Sequence, residues 1–181
     1  VQGEGAAERA AAIRDRLGDH VYADADVSLA EVVVARLGER GESVSVAESL
    51  TGGALGAAIV SVPGASNVFA GGVTAYSKAQ KQTQLGLDAD LLAGGAVQEA
   101  VAVEMARAVC ERFGTTWGVA TTGVAGPDAD EDDAPVGLVH LAVAGPNGQT
   151  ATKRLDLPGG RSFIRQRAVN ASLDLLRRAL V

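Results

Sequence analysis

The stretch that decides the fold runs from residue 43 to residue 60 and reads SVSVAESLTGGALGAAIV. Its first five residues have the pattern of a short strand, and its last seven have apolar spacing typical of a helix. Ser49 is therefore predicted to lie at a strand-to-helix turn, where its hydroxyl is within reach of a bound molecule. Gly52 and Gly53 allow close approach of the backbone, and the free N–H groups of the first helical turn favour an anion above them. One turn thus supplies a nucleophile and a place to stabilise a developing oxyanion.

The rest of the chain alternates between helix and strand patterns. Further helices are predicted at residues 29–37, 77–85, 101–113 and 162–180, and further strands at residues 71–76, 117–121, 137–143 and 153–157. Ser28 is predicted to cap the first of these helices, and Gly38 and Gly41 to end it. The strands on either side of the Gly-, Asp- and Pro-rich loop have no helix between them, so they are expected to be antiparallel. Because apolar strands need helical cover on both faces, the fold class is α/β, a three-layer α/β/α domain with a mixed sheet.

Composition and charge limit the classes of function. The chain has 181 residues, of which 47% are apolar and 21% charged, as in an ordinary globular protein. Residues 1–27 are expected to be an N-terminal extension or linker remnant, and residues 28–181 one domain. The net charge of −6 argues against direct binding of nucleic acid or of an acidic membrane. No stretch reaches the ~18 apolar residues of a membrane span. Cys110 is the only cysteine and is expected to be structural, so a reducing, cytoplasmic location is predicted.

Ser49 needs a base before its hydroxyl becomes a good nucleophile. The two histidines are poor candidates, because His20 lies in the extension and His140 lies in the middle of a predicted strand, where it is expected to pack. The remaining base is Lys81, which can serve if desolvation and a cationic neighbour lower its pKa enough to populate the neutral amine. Tyr76, five residues earlier, could relay the proton or orient the amine.

The residue types alone leave two interpretations open. In the first, Ser49, Tyr76 and Lys81 form a site that hydrolyses amides. In the second, Ser49 or Thr51 caps a helix, Tyr76 packs, and Lys81 lies in water.

A resemblance favours the first interpretation. Short motifs occur in series along the chain, namely AESLTGG at 47–53, GVTAYS at 72–77 followed by Lys81, LGL at 85–87, GAV at 95–97, TGVAGP at 122–127, PVG at 135–137, and Arg161 with Arg165. In order and spacing this series resembles the CinA C-terminal domain family, the nicotinamide-nucleotide amidohydrolases. The resemblance extends from about residue 28 to the end of the chain.

The resemblance implies a fold, an activity and a set of roles. The fold is an anticodon-binding-domain-like α/β/α domain, assembled as a dimer or higher homo-oligomer. The activity is hydrolysis of the carboxamide of nicotinamide mononucleotide to nicotinate mononucleotide and ammonia, a pyridine-nucleotide salvage step. Ser49 is implied as the nucleophile, Lys81 as the general base and Tyr76 as its hydroxyl partner. On this interpretation neither a metal nor an organic cofactor is needed.

The substrate-binding residues are expected at the rim formed by the turns. Arg161 or Arg165 is expected to hold the substrate phosphate through a charge-assisted contact. The other expected rim residues are Thr51, Gly52, Gly53, Thr122 and Gly123.

Three departures from the family pattern bear on the site. Lys78 stands where family members usually have asparagine, so a second amine lies near Lys81, where it could depress the pKa of Lys81 or compete with it. The usual glycine pair and lysine before residues 135–137 are replaced by the acidic segment 129–134. Gln98 replaces a capping serine, a change expected to weaken the helix by about 1 kcal/mol.

The acidic residues between Asp128 and Asp133 are a candidate metal-binding loop, because carboxylates at short spacing bind hard cations. The segment lacks the glycine and the terminal glutamate of a calcium loop, so a solvated acidic loop is expected and no metal site is predicted.

Two other functions stay open at this point. One is a catalytically silent domain that binds a nucleotide or a protein partner, in keeping with the competence- and damage-inducible label of the family. The other is an amidase for a different small carboxamide.

Overall fold

A five-stranded sheet forms the centre of the computed structural model, which describes residue 3 and residues 5–180. The strands are β1 (Val44–Glu48), β2 (Phe69–Thr74), β3 (Trp117–Gly123), β4 (Leu138–Ala144) and β5 (Thr150–Asp156). They lie side by side in the order β2-β1-β3-β4-β5. β1 is parallel to both β2 and β3, whereas β4 is antiparallel to β3 and to β5. The predicted mixed sheet and the predicted antiparallel pair are both confirmed.

Helices cover both faces of this sheet. The α-helices of the described residues are α1 (Ala6–Leu17), α2 (Leu29–Arg40), α3 (Ala54–Val60), α4 (Lys78–Leu85), α5 (Ala89–Ala93), α6 (Glu99–Phe113) and α7 (Arg161–Ala179). Helices α2, α3 and α7 pack on one face, and α4, α5 and α6 pack on the other. This arrangement confirms the predicted three-layer α/β/α architecture. None of the described helices is both long enough and apolar enough to cross a membrane.

The two faces of the sheet are packed differently. On the face covered by α2, α3 and α7, large aliphatic side chains such as Val46, Val119 and Leu141 are buried. On the α6 face the buried strand residues are mainly alanines, and β3 carries Gly118, where an added Cβ would collide with the carbonyl oxygen of Ala106 in α6. The small residues let α6 lie directly on the strands.

Local signals set the ends of the helices. The Ser28 hydroxyl accepts a hydrogen bond from the Glu31 N–H, and the Glu31 carboxylate accepts from the Ser28 N–H, which forms a capping box. The prediction that Gly38 helps to end α2 is wrong, because α2 continues to Arg40 and ends at Gly41, whose φ is 63°. Glycine adopts this left-handed conformation without steric strain, which is why helices commonly end at a glycine.

The N-terminal segment lies outside the core. None of the residues of α1 is buried. After α1, the Asp19 carbonyl accepts hydrogen bonds from Arg177 at 2.9 Å and from Arg178 at 3.2 Å, which connect this segment to α7. The division between residues 1–27 and 28–181 stays a prediction.

Candidate active site

Ser49 directly follows β1, at the edge of the sheet where the carboxyl ends of β1 and β3 meet. Its N–H donates to the carbonyl of Thr121 at 3.0 Å, which extends the pairing of the two strands by one residue. The chain then reverses at Gly52 and Gly53, whose φ values are 59° and 94°. The predicted strand-to-helix turn is therefore present. Only 7% of Ser49 is exposed.

Lys81 lies on α4 and contacts Ser49. Its Nζ donates to Ser49 Oγ at 3.0 Å and to the carbonyl oxygen of Ala75 at 3.2 Å. Ser77 caps α4 by accepting a hydrogen bond from the Gln80 N–H, so Lys81 lies in the first turns of a well-defined helix. Only 2% of Lys81 is exposed to solvent. The structure brings the predicted nucleophile and base into direct contact.

Burial changes the proton affinity of this lysine. It lowers the pKa of Lys81 from 10.5 to about 8, because a buried ammonium loses its hydration. The carboxylates of Glu131 and Asp130 act in the opposite direction and raise the pKa. At pH 7 a pKa of about 8 leaves about one-tenth of the amines neutral, against roughly one in three thousand at 10.5. The neutral amine that a base requires is therefore populated.

Tyr76 lies beside this pair, but its hydroxyl is engaged elsewhere. The Tyr76 hydroxyl accepts a hydrogen bond from Arg161 Nη2 at 2.6 Å, and 55% of the residue is exposed. Over residues 5–180, no hydrogen bond joins Tyr76 to Lys81 or to Ser49. The predicted role of Tyr76 as the hydroxyl partner of the lysine is thus not realised in this structure.

The N-terminus of α3 is already occupied by a side chain of the protein. The buried carboxylate of Glu48 accepts hydrogen bonds from the N–H groups of Gly53 at 2.9 Å, Leu55 at 3.0 Å and Gly56 at 2.8 Å. The prediction that the first-turn N–H groups of this helix are free for an oxyanion is therefore wrong. Sequence patterns miss this contact because Glu48 precedes the helix by six residues, outside the usual capping positions.

Four of the expected binding residues do not line the cavity described below, and two of them, Thr51 and Arg165, stabilise the Ser49 turn instead. Arg165 donates to the carbonyl of Leu50 at 3.0 Å and to that of Thr51 at 2.6 Å. The Thr51 hydroxyl is fully buried and shares a 2.7 Å hydrogen bond with the Thr121 hydroxyl. The residues that do not line the cavity described below are Thr51, Gly52, Gly53 and Arg165.

A cavity of about 380 Å³ opens above Ser49 and Lys81. Three expected binding residues, Thr122, Gly123 and Arg161, line this cavity. Arg161 is held at its edge by hydrogen bonds to the Tyr76 hydroxyl and, at 2.9 Å, to the Gly126 carbonyl. Lining residues that were not assigned to the site from the sequence include Leu50, Ser77, Ala96, Val97 and the segment 124–126. The size is that of a site for a small molecule, which typically measures about 300–1,000 Å³.

Comparison with known proteins places this geometry in a family. The family model of the CinA C-terminal domain matches residues 26–180. The chain belongs to the CinA C-terminal domain family. CinA-like proteins of Parasynechococcus marenigrum and of Anaeromyxobacter sp. strain K are 50% and 47% identical to it over 173 and 185 residues, or 94% and 99% of the chain. The matched regions are 41% and 45% of those two relatives, so the chain spans less than half of their length.

Solved structures of CinA relatives share the fold. The competence/damage-inducible protein CihA from Agrobacterium tumefaciens superposes with a TM-score of 0.80 and is 35% identical, with 84% of this chain and 93% of that chain covered. A CinA superfamily protein from Klebsiella pneumoniae superposes with a TM-score of 0.81 and 32% identity, with 84% and 95% covered. The names of these relatives refer to competence and damage and not to a reaction.

Lys78, the second amine expected near Lys81, is paired with carboxylates in this CinA domain. Its Nζ donates to Asp132 at 2.5 Å and lies 3.7 Å from Glu131. The hydrogen bond that Lys78 donates to Asp132 is the main reason why the pKa of Lys78 is raised. Lys78 therefore stays protonated and is a poor rival to Lys81 as a base. Burial, and not Lys78, lowers the pKa of Lys81.

The acidic segment of this CinA domain is more ordered than expected. Asp130 accepts hydrogen bonds from the N–H groups of Asp132 and Ala134, and Asp132 also accepts from the Ala96 N–H at 3.1 Å. Most of the segment is exposed, as expected for a solvated loop, and Asp128, Asp130 and Glu131 also line the cavity. No group of His, Cys, Asp and Glu in the described part of the chain is arranged to hold a metal ion.

The remaining predicted residues lie away from the cavity. Gln98 makes no side-chain cap on α6, as expected, but its Nε2 ties down the loop by donating to the carbonyls of Leu91 and Gly95. His140 lies in β4, where burial and the neighbouring Arg154 lower its pKa. Cys110 donates to the Thr115 carbonyl and is partly buried.

Proposed function

We propose that this CinA domain is an amidase that hydrolyses the carboxamide of nicotinamide mononucleotide to nicotinate mononucleotide and ammonia. The observation that carries the proposal is the 3.0 Å contact between Ser49 Oγ and the Nζ of a lysine that is 98% shielded from solvent. An exposed lysine beside a serine would be protonated near neutral pH, so the burial is as important as the distance.

Lys81 would act as base and then as acid. The neutral amine takes the proton of the Ser49 hydroxyl while Oγ forms a bond to the carboxamide carbon. The C–N bond then breaks, and the leaving nitrogen takes the proton back from the Lys81 ammonium and departs as ammonia. A water molecule, deprotonated by the same amine, attacks the ester on Ser49 and releases the carboxylate product. Ser49 and Lys81 return to their starting protonation states.

The developing oxyanion needs a donor other than α3, because Glu48 occupies the N–H groups of that helix. The N–H of Leu50 follows the nucleophile directly, and Leu50 lines the cavity. Among the described residues no hydrogen bond uses this N–H as donor. We therefore assign the Leu50 N–H as the oxyanion donor, a position that the residue after the nucleophile takes in other serine hydrolases.

Arg161 is the best placed residue for the substrate phosphate. It lies at the edge of the cavity, and its guanidinium is held in place by Tyr76 and by the Gly126 carbonyl. A guanidinium offers several N–H donors in a fixed plane, which suits a phosphate. On this assignment Tyr76 serves the reaction by orienting Arg161.

The first experiment measures ammonia release from the purified chain supplied with nicotinamide mononucleotide, at several salt concentrations because the protein is acidic. We expect Ser49→Ala and Lys81→Ala to abolish release while leaving the fold intact. The matched controls Ser61→Ala and Lys153→Ala change an exposed serine and an exposed lysine that do not line the cavity, and they should keep full activity. Near-normal release from Ser49→Ala would contradict the proposal.

A catalytically silent nucleotide-binding domain is the second candidate. It is favoured by the carboxylates of Asp130 and Glu131, which line the same cavity and raise the pKa of Lys81, so that they oppose its action as a base. Calorimetry separates the two functions. Heat of binding without ammonia release at any salt concentration would favour the silent domain.

A further inference from the structure

Asp132 joins three segments that surround the cavity. One carboxylate oxygen accepts from Lys78, and the other accepts from the Ala96 N–H. Lys78 is the first residue of α4, the helix that carries Lys81. Ala96 belongs to the loop before α6, and its carbonyl accepts a hydrogen bond from Thr122 of β3 at 2.8 Å. A single carboxylate thus ties the acidic segment to the helix of the base and, through Ala96, to the sheet.

This clasp, defined as the contacts of Asp132 with Lys78 and Ala96, is partly shielded from water. The side chains of Lys78 and Asp132 are 28% and 25% exposed, whereas Glu131 next to them is 69% exposed. Between the clasp and β3, the segment places Asp128, Ala129, Asp130 and Glu131 along the cavity wall. Lys78 and Lys81 are three positions apart on α4, so the clasp joins the first turn of α4 to the cavity wall formed by the acidic segment.

We propose that the clasp is a positioning device for the reaction, which holds the acidic segment over Ser49 and Lys81 and keeps water away from the Lys81 amine. The inference rests on the proposed function in that it takes Lys81 as the base. Asp132 and Lys78 are positioning residues, since neither contacts Ser49 or Lys81 through a hydrogen bond in the described chain.

Opening the clasp changes two influences on the pKa of Lys81, and they act in opposite directions. The groups near the Lys81 amine are the Ser49 hydroxyl, the Ala75 carbonyl, Tyr76 and Arg161 at the cavity edge, Lys78 on its own helix, and Asp130 and Glu131 on the acidic segment. If the segment moves away, water reaches the amine, which raises the pKa of Lys81, and the carboxylates of Asp130 and Glu131 move away, which lowers it. Desolvation is the larger of these causes, so the net change expected is a rise from about 8 towards 10.5.

Two variants separate this effect from simple charge removal. Asp132→Ala removes an anion, which by itself would lower the pKa of a nearby lysine, and Lys78→Gln removes a cation, which would raise it. The clasp predicts that both variants raise the pKa of Lys81. Lys78→Arg keeps the ion pair and should restore the pKa of about 8. Asp156→Ala removes a carboxylate of an exposed ion pair on β5 and should have no effect.

The ionisation of Lys81 can be measured without turnover. The chain contains only three lysines, at positions 78, 81 and 153. In protein labelled with ¹³C-lysine, the Cε resonance that disappears in Lys81→Met belongs to Lys81, and its titration gives the pKa. The pH dependence of kcat is recorded on the same variants.

The outcomes distinguish the clasp from the proposed activity. A pKa of Lys81 that rises in both Asp132→Ala and Lys78→Gln, with a matching upward shift in the pH dependence of kcat, supports the clasp. A rise in both variants from protein that never releases ammonia supports the clasp and rejects the proposed function. A pKa of Lys81 that stays at the wild-type value or falls in Asp132→Ala, in protein with a native-like NMR spectrum, overturns the clasp.

Discussion

At the scale of single residues, the contact between Ser49 and Lys81 combines a favourable geometry with an unfavourable environment for charge. The amine is buried with two acceptors, Ser49 Oγ and the Ala75 carbonyl, and no carboxylate hydrogen-bonds to it among the residues described. A direct carboxylate partner would hold the amine protonated and unable to act as a base. Asp130 and Glu131 act on it only through longer-range charge, which is weaker than desolvation. The net result is an amine that exchanges its proton near physiological pH.

The pH dependence of turnover follows from this residue. If the neutral amine of Lys81 is the active form, ammonia release should fall about tenfold for each pH unit below the pKa of about 8. Glu131→Gln removes a carboxylate that raises the pKa, so its pH profile should shift to lower pH than that of the wild type. Initial rates between pH 5 and pH 10 test both statements. A profile that is flat between pH 6 and pH 9 would show that Lys81 is not the base.

At the scale of elements, Glu48 links β1 to the start of α3. Its carboxylate accepts hydrogen bonds from three N–H groups at the start of α3, and only 2% of Glu48 is exposed. A helix N-terminus leaves its first N–H groups without partners, and here a residue of the preceding strand supplies the acceptor. The same contact fixes the path of the chain through Ser49, which lies between the strand and the helix.

Glu48→Gln tests this link. The amide keeps one oxygen but places an NH₂ group where the second oxygen accepts, so at least one buried N–H loses its partner. We expect the free energy of unfolding to fall by about 1–3 kcal/mol, the usual effect of leaving a buried donor unsatisfied. Denaturant unfolding measures the change. Glu104→Gln is the matched control, since Glu104 lies on the surface of α6 in an exposed ion pair with Arg107 and its replacement should change stability by less than about 0.5 kcal/mol. Equal effects of the two changes would show that the three N–H contacts contribute little.

The elements themselves were largely predictable from the sequence, but the contacts between them were not. Apolar spacing and capping residues located β1, α3 and α7, because these signals act within a few residues of one another. The Ser49–Lys81 pair was predicted because both residues are chemically unusual in their setting. By contrast, the bond from Arg161 to Tyr76 joins residues 85 positions apart, and that from Arg165 to Leu50 joins residues 115 positions apart. Such pairings depend on the final packing, so no local pattern signals them.

At the scale of the whole molecule, the site lies where the parallel part of the sheet meets helices from both layers. β1 and β3 are parallel neighbours, so their carboxyl ends deliver Ser49 and Thr122 to one edge of the sheet. α4 lies on the same side of the sheet as α6 and contributes Lys81, and α7 lies on the opposite side and contributes Arg161. Clefts at the carboxyl ends of strands in α/β sheets are common ligand sites, since chain segments diverge there. Assembly of both layers is therefore needed before the lysine becomes buried.

The burial of Lys81 couples the stability of the whole fold to pH. In the unfolded chain the pKa is near 10.5, and in the folded chain it is about 8, so the unfolded state binds more protons between these values. Above pH 10.5 the amine is neutral in both states and burial carries no charge penalty. As the pH falls towards 8 the penalty develops, and it is complete below 8. A shift of this size corresponds to roughly 3 kcal/mol.

Lys81→Met should therefore raise the free energy of unfolding at pH 7 by up to about 3 kcal/mol, less the loss of two hydrogen bonds. The gain should shrink as the pH approaches 10.5, whereas exposed Lys153→Met should show no such trend. Chemical denaturation at pH 7, 8.5 and 10 provides the comparison, and a Lys81→Met variant that is less stable than the wild type at every pH would mean that the contacts of Lys81 with Ser49 and Ala75 outweigh the desolvation of its amine.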